Sequence, residues 1–191
     1  MSPRNDIQNI KVREERKRQI MNVALEIIAE NGFANASVAR IAQRAKISKG
    51  LMYNYFESKE DLIINIMLDG FNQLTLSFDT NKDGVLTEEE LHYFIDSSFE
   101  TLKNNIHFWR MYFMVLLQPQ VYEIITPYLE KTLQPFYETA INYFIDKGYE
   151  DPIAEMRFFA AMMDGVGLHF ILDPDNFPLD GVKKKMHRMF K

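Results

Sequence analysis

The sequence predicts an all-α protein, with a helix-turn-helix part over residues 1–57 and a larger helical part over residues 58–191. Three observations predict it. Apolar residues recur at helical steps along the chain, from Ile20, Val23, Ala24, Ile27 and Ile28 to Phe158, Phe159, Met162, Met163 and Val166. Two short helices meet at a tight turn between Ser37 and Lys59. Helix punctuation recurs as well, with Ser, Thr or Asp before a stripe and Gly or Pro after it.

In chain order, Met1 to Ile10 is polar and is expected to fray. The run Lys11-Val12-Arg13-Glu14-Glu15-Arg16-Lys17-Arg18 opens the first helix, either as a solvated start or beside a nucleic-acid backbone. Asn31-Gly32 ends that helix, Gly32 supplying the left-handed residue. Ser37 caps the next helix, whose small apolar face is Val38, Ile41, Ala42 and Ala45. Lys46-Ile47-Ser48 makes the turn, with Ile47 as its apolar plug and Ser48 capping a second helix from Lys49 to about Phe56. Leu51, Met52 and Phe56 are assigned to the core. Such a helix pair is the sequence form of a DNA reader, although an ordinary helical hairpin has the same outline.

The residues narrow the choice. Ile41-Ala42, Ile47-Ser48-Lys49-Gly50, Tyr53-Asn54-Tyr55-Phe56 and Ser58-Lys59-Glu60 resemble the TetR/AcrR family of bacterial transcription regulators, over roughly residues 13 to 62. Lys46 stands where that family usually has Gly. The resemblance implies a dimeric DNA-binding regulator, most often a repressor, that grips a palindromic operator in double-stranded DNA and is released by a ligand. It also implies that Tyr53, Tyr55 and Lys59 touch phosphates. Ser37 and Arg40 open the first helix of the pair, where backbone N–H groups and a guanidinium can meet the strand. Ser48, Lys49 and Gly50 open the recognition helix; Lys49 suits a guanine edge, and Asn54 an adenine or a phosphate.

Charge agrees once it is divided. The chain carries −5 overall. Residues 1–60 hold eleven basic and seven acidic side chains (+4), and the remainder holds eleven and twenty (−9). A basic head on an acidic body satisfies phosphate, because neutralisation is local. No cysteine is present, which removes disulfides and thiolate metal sites and fits a reducing cytoplasm. No stretch reads as a signal peptide or a membrane span, so a cytoplasmic protein without membrane contact is expected.

Ser58, with Asp61 three residues on, forms a capping box for a long fourth helix whose stripe is Leu62, Ile63, Ile66, Met67, Phe71, Leu74 and Phe78. An unexpected motif follows. Residues 79–90 meet every fixed position of the calcium-loop pattern D-x-[DN]-x-[DN]-G-x5-E, through Asp79, Asn81, Asp83, Gly84 and Glu90. Val85 would add its carbonyl, Thr87 a hydroxyl or a water, and Glu90 two oxygens to a Ca2+ ion that wants six to eight. The loop resembles a calmodulin-type EF-hand, with Leu86 at the inward apolar position and Phe78, Leu91 and Phe94 flanking it. The bland alternative is a polar turn in which Thr87 and Glu90 cap the exit helix. No second loop is visible: Asp173-Pro174-Asp175-Asn176 lacks the Gly and the final Glu. An insertion here also departs from the TetR pattern.

The exit helix runs from Glu88 to about Asn104, with Leu91, Phe94, Ile95, Phe99 and Leu102 inward. Ile106 to Leu117 is a further helix, broken by Pro119. Two helical patterns follow, near 120–132 and 135–147, with Pro127 and Pro135 as kinks or starts. Asp151-Pro152 starts a helix reaching about Leu172. Lys183-Lys184-Lys185 with Arg188 reads as a solvated helix face. The resemblance implies an apolar effector pocket, for which Phe99, Leu102, Trp109, Tyr112 and Phe113 are candidates, although such stripes are often plain core. It also implies a four-helix dimer interface from about 135–147 and 153–172, with Phe158, Met162, Gly165, Val166 and Phe170 as candidates. The four histidines show no metal spacing, and no catalytic triad or phosphate-binding Gly motif is present, so neither an enzyme nor an organic cofactor is expected. Two functions compete: a ligand-released DNA regulator that calcium could also tune, and a calcium sensor or partner-binding protein without a DNA role.

Overall fold

The computed structural model describes Pro3–Phe190 and, among those residues, contains nine α-helices and no strand, which is the predicted fold class. The helices are α1 Pro3–Asn31, α2 Val38–Arg44, α3 Lys49–Tyr53, α4 Lys59–Thr75, α5 Glu88–Asn104, α6 Ile106–Leu116, α7 Pro119–Asp146, α8 Pro152–Leu172 and α9 Leu179–Met189. Two compact units result: Met1–Asp69 with Met111–Pro127, and Gly70–Arg110 with Tyr128–Lys191. α4, which follows the expected boundary at 57/58, begins in the first unit and ends in the second. Leu62, Ile63, Ile66 and Met67 of α4 are buried in the first unit, and the buried Tyr112 hydroxyl donates to the Met67 carbonyl at 2.8 Å.

In the first unit, α1 begins at Pro3 rather than at Lys11; Met1 and Ser2 lie outside the described residues. Pro3 suits a first helical position, and no Gly or Pro interrupts the chain from there to Gly32. Ile20, Ala24, Leu25, Ile27 and Ile28 form the buried stripe. Gly32 follows at φ +78°, its N–H donating to Ile28 O at 2.9 Å.

The α2–α3 turn closes as a Schellman motif. Ile47 N–H donates to Ala42 O at 3.0 Å and Lys46 N–H to Gln43 O at 3.1 Å. Lys46 occupies the left-handed position at φ +56°, a conformation glycine adopts without penalty and a lysine does not. Lys46→Gly should therefore stabilise the protein by about 1 kcal/mol. The denaturation midpoint should rise at unchanged slope; a fall would contradict the strain.

The second unit is built on α5, which packs against α8 and α9. Its stripe Leu91, Phe94, Ile95, Phe99 and Leu102 is buried as expected, joined by Ser98. Gly167 of α8 approaches α5 closely enough that a Cβ there would lie 3.2 Å from Leu102 Cδ1. Lys183 is not solvated as expected: it turns inward to Asp96 at 3.0 Å, while Lys184, Lys185 and Arg188 stay exposed.

The two helical patterns expected near 120–132 and 135–147 are one helix, α7, continuous through Pro127 and Pro135. Each proline removes only one N–H, and the carbonyls left without a donor belong to Glu123 and Lys131, both exposed. A second Schellman motif ends α7. Gly148, at φ +77°, donates to Ile145 O and Tyr149 to Phe144 O, and the Phe144 and Tyr149 rings meet edge-on at 5.2 Å. Asp151 caps α8, accepting from Ala154 N–H at 3.0 Å. Among the described residues no helix is long and apolar enough to cross a membrane.

Candidate nucleic-acid interface and candidate metal loop

The two predicted caps hold the helix-turn-helix. Ser37 Oγ accepts from Arg40 N–H at 3.2 Å, and Ser48 Oγ from Leu51 N–H at 3.0 Å. The second helix is shorter than expected, stopping at Tyr53 with Asn54 as its C-cap. Ile41, Ala42 and Ala45 of the first helix, and Met52 and Phe56 from the second helix and its exit, are buried. Leu51, which the sequence assigns to the core, is exposed. Of the five α3 residues Met52 alone is buried, so its neighbour Leu51 faces out. Ser48, Lys49, Gly50, Leu51, Tyr53 and Asn54 thus stand exposed around one turn of α3.

The other predicted contacts are partly engaged within the protein. Arg40 is exposed and donates to Asn31 Oδ1 at 3.0 Å. Tyr55 is half-buried beneath the Arg13 guanidinium, 4.8 Å from its ring centre. Lys59 is half-buried too, its ammonium donating to Phe33 O at 2.8 Å and standing 4.3 Å over the Phe33 ring.

The basic run on α1 serves the head directly. Arg13 donates to Asn54 O at 2.9 Å, supplying a cation to the C-terminal end of α3, and Lys17 donates to Asn65 Oδ1 at 2.9 Å. The turn before α2 is pinned from outside the motif: Phe33 N–H donates to Gln118 Oε1 at 2.8 Å, while Gln118 Nε2 donates to Ile28 O at 3.4 Å. Arg44 pairs with Glu26 and Glu30 at 3.0 and 3.1 Å, exposed bridges that stabilise little.

The loop between α4 and α5 belongs to the second unit. α4 ends at Thr75, short of the expected Phe78. Phe78 is nevertheless buried, with its ring centre 5.0 Å from that of Phe94 and 4.0 Å from that of Phe136, and Leu86 is buried too. The backbone turns through Lys82 at φ +59° and Gly84 at φ +77°. Asp79 Oδ2 accepts from Gly84 N–H at 2.9 Å, Asn81 Oδ1 from Asp83 N–H at 3.0 Å, and Asp83 Oδ1 from Val85 N–H at 2.8 Å. The side chains at motif positions one, three and five therefore fold the backbone around themselves.

Glu90 is held by two threonines. Its Oε2 accepts from Thr87 N–H at 3.1 Å and Thr87 Oγ1 at 3.0 Å, and its Oε1 from Thr80 Oγ1 at 3.0 Å. Thr87 Oγ1 accepts in turn from Glu90 N–H, completing the capping box. The Thr87 backbone N–H holds the Glu90 carboxyl below the usual carboxylate range, helped by the hydroxyls of Thr87 and Thr80. Among the described residues, no three His, Asp or Glu side chains stand together as a metal would hold them.

Residues 20–66 match the family described as bacterial regulatory proteins, tetR family. That match covers the helix-turn-helix head and the first half of α4. The chain is similar to the fatty acid metabolism regulator protein of Bacillus subtilis, at 31% identity over 94 residues, 49% of this chain and 48% of that protein. It is similar to the regulator UidR of Escherichia coli K12, at 33% over 91 residues, 48% of this chain and 43% of that one. The chain thus matches about half the length of these curated relatives. The fold likeness runs further. The fatty acid degradation regulator FadR of Bacillus halodurans superposes at a TM-score of 0.71 with 22% identity, over 92% of this chain and 94% of that one. FadR of Bacillus subtilis in complex with stearoyl-CoA gives 0.71 with 20% identity, over 91% and 96%. NalD, the secondary repressor of the MexAB-OprM efflux pump of Pseudomonas aeruginosa, gives 0.72 with 20% identity, over 93% and 94%.

The predicted effector residues fall in both units. Phe99, Leu102 and Trp109 are buried in the second unit, where Trp109 Nε1 donates to Thr101 O at 3.0 Å. Tyr112 is buried and Phe113 half-buried in the first, their rings edge-on at 5.7 Å. On α8, Phe158 is exposed and Met162, Gly165 and Val166 are half-buried, at helical spacing along one stripe. Phe170 departs from that stripe: it is buried inside its own unit, 6.3 Å from the Phe177 ring. Ile145 on α7 and Ile153 on α8, in the same unit, are also exposed.

Proposed function

We propose that the protein is a cytoplasmic, homodimeric, sequence-specific transcriptional repressor that leaves its operator when a small apolar ligand binds its body. The observation that carries this reading is α3. Lys49, Gly50, Leu51 and Tyr53 stand exposed above a buried Met52 and Phe56, on a segment that matches the tetR family. Such a helix lays its exposed face in the major groove, where Lys49 offers a cation to a guanine edge and Leu51 an apolar surface to a thymine methyl. Arg13 and Gln118 act as positioning residues, one fixing the end of α3 and the other the turn before α2.

Dimerisation supplies the two-fold reading that an isolated head lacks, and the apolar stripe of α8 with Ile145 supports it. The ligand class follows the likeness to FadR, solved with stearoyl-CoA, and to the efflux-pump repressor NalD. No catalytic role is part of this reading. Calcium acting through residues 79–90 is a second candidate input, argued below.

Nuclease footprinting on DNA from upstream of the protein's own gene tests the reading. The expected footprint has two half-sites about one helical turn or a multiple of it apart. A single unsymmetrical footprint, or none on any candidate operator, would contradict it.

A further inference from the structure

We propose that residues 79–90 form a calcium site, in which a bound Ca2+ draws the Glu90 carboxylate out of its helix cap and joins it to Asp79, Asn81, Asp83 and the Val85 carbonyl. Repressor function does not require this, and nothing in the TetR-type head explains the motif. The donors are all oxygens, most of them on the side chains of four residues, in the order that suits a hard cation of high coordination number.

Two features of the folded loop point the same way independently of the sequence pattern. Asp79 uses Oδ2 to hold the Gly84 N–H, while its Oδ1 is sealed from solvent and accepts no hydrogen bond. A carboxylate oxygen so placed lacks the partner that buried polar atoms nearly always have, and a cation supplies one. The backbone is also already turned as a calcium loop needs, with Gly84 left-handed at the sixth position and Leu86 buried at the eighth. What remains is to bring Glu90 in and to replace the bond that Asn81 Nδ2 now donates to Asp83 Oδ2 at 2.9 Å. Glu90 now holds Thr87 and Thr80, and the Thr87 hydroxyl can go on capping the Glu90 N–H after the carboxylate leaves.

Glu90→Gln separates the two roles of this residue. Glutamine serves a capping box as glutamate does, so the variant should fold, but it lacks the charge and the second carboxylate oxygen that a calcium loop takes from its last position. Equilibrium dialysis of the full chain against calcium, at fixed salt and with magnesium in parallel, gives the answer without any DNA. The expected result is one saturable calcium per chain, with a dissociation constant at or below about 1 mM. Affinity should fall at least tenfold in Glu90→Gln and in Asp79→Asn, and magnesium should compete poorly. Circular dichroism of both variants should match the parent. No saturable binding, equal binding by Glu90→Gln and parent, or magnesium binding as tight as calcium would each overturn the proposal. Because binding is read directly, its failure leaves the repressor reading intact.

Discussion

Trp109→Ala is expected to lower the stability of the protein by about 3–5 kcal/mol, the cost of emptying a large buried aromatic site. Trp109 is 1% exposed, meets the Phe108 ring edge-on at 5.1 Å, and donates to the Thr101 carbonyl. That carbonyl lies in the last turn of α5, where backbone acceptors run out of helical donors, so the indole N–H also seals a helix end. Trp109→Phe keeps most of the packing and loses this hydrogen bond, which should cost about 1–3 kcal/mol. Urea denaturation of both variants decides between two roles for this residue. A tryptophan that is core destabilises in that order. A tryptophan that mainly lines a ligand pocket would tolerate alanine at under about 1 kcal/mol and would change ligand affinity instead.

Lys49→Glu is expected to weaken operator binding by about 10- to 100-fold at fixed salt while moving stability by no more than about 0.5 kcal/mol. The residue is exposed at the first position of α3, so its reversal removes a base-edge donor and sets a like charge against the phosphates without disturbing the core. The salt dependence should shallow at the same time, because one cation fewer displaces counterions. Fluorescence anisotropy over a salt series, paired with thermal melts, reads both effects. Unchanged affinity would remove Lys49 from the interface and move α3 out of the groove.

Much of the head could be read from the sequence because its determinants are local. Ser37 and Ser48 each cap a donor three residues on, and the Lys46 turn is closed by bonds spanning five residues or fewer. The same holds for the Thr87–Glu90 box and for Asp151. The positioning residues could not be found in this way. Arg13 reaches the end of α3 across 41 residues of chain and Gln118 reaches Phe33 across 85, and nothing near either one announces its partner. Leu51 failed for a related reason: its apolarity suggested core, but a five-residue helix has only one inward turn. α7 shows the limit of punctuation. Pro127 and Pro135 look like breaks, yet the carbonyls they strand sit on exposed residues, where water can serve them. Phe170 looked like part of the α8 dimer stripe because helical spacing does not say which stripe faces its own core.

The calcium loop sits between these cases. Its pattern was visible as sequence, and so was its bland alternative, the capping box that the folded loop displays. The unpartnered Asp79 oxygen was visible in neither, and only the folded backbone reveals it.

Titration of the purified protein onto its own upstream DNA, and onto scrambled DNA of equal length and composition, at one fixed salt concentration, tests the central claim most directly. The account predicts at least about a thousandfold preference for the native sequence, with two chains bound per site. Equal affinity for both DNAs, on every candidate operator tried, would mean that the exposed face of α3 does not read sequence, and the repressor reading would fall with it.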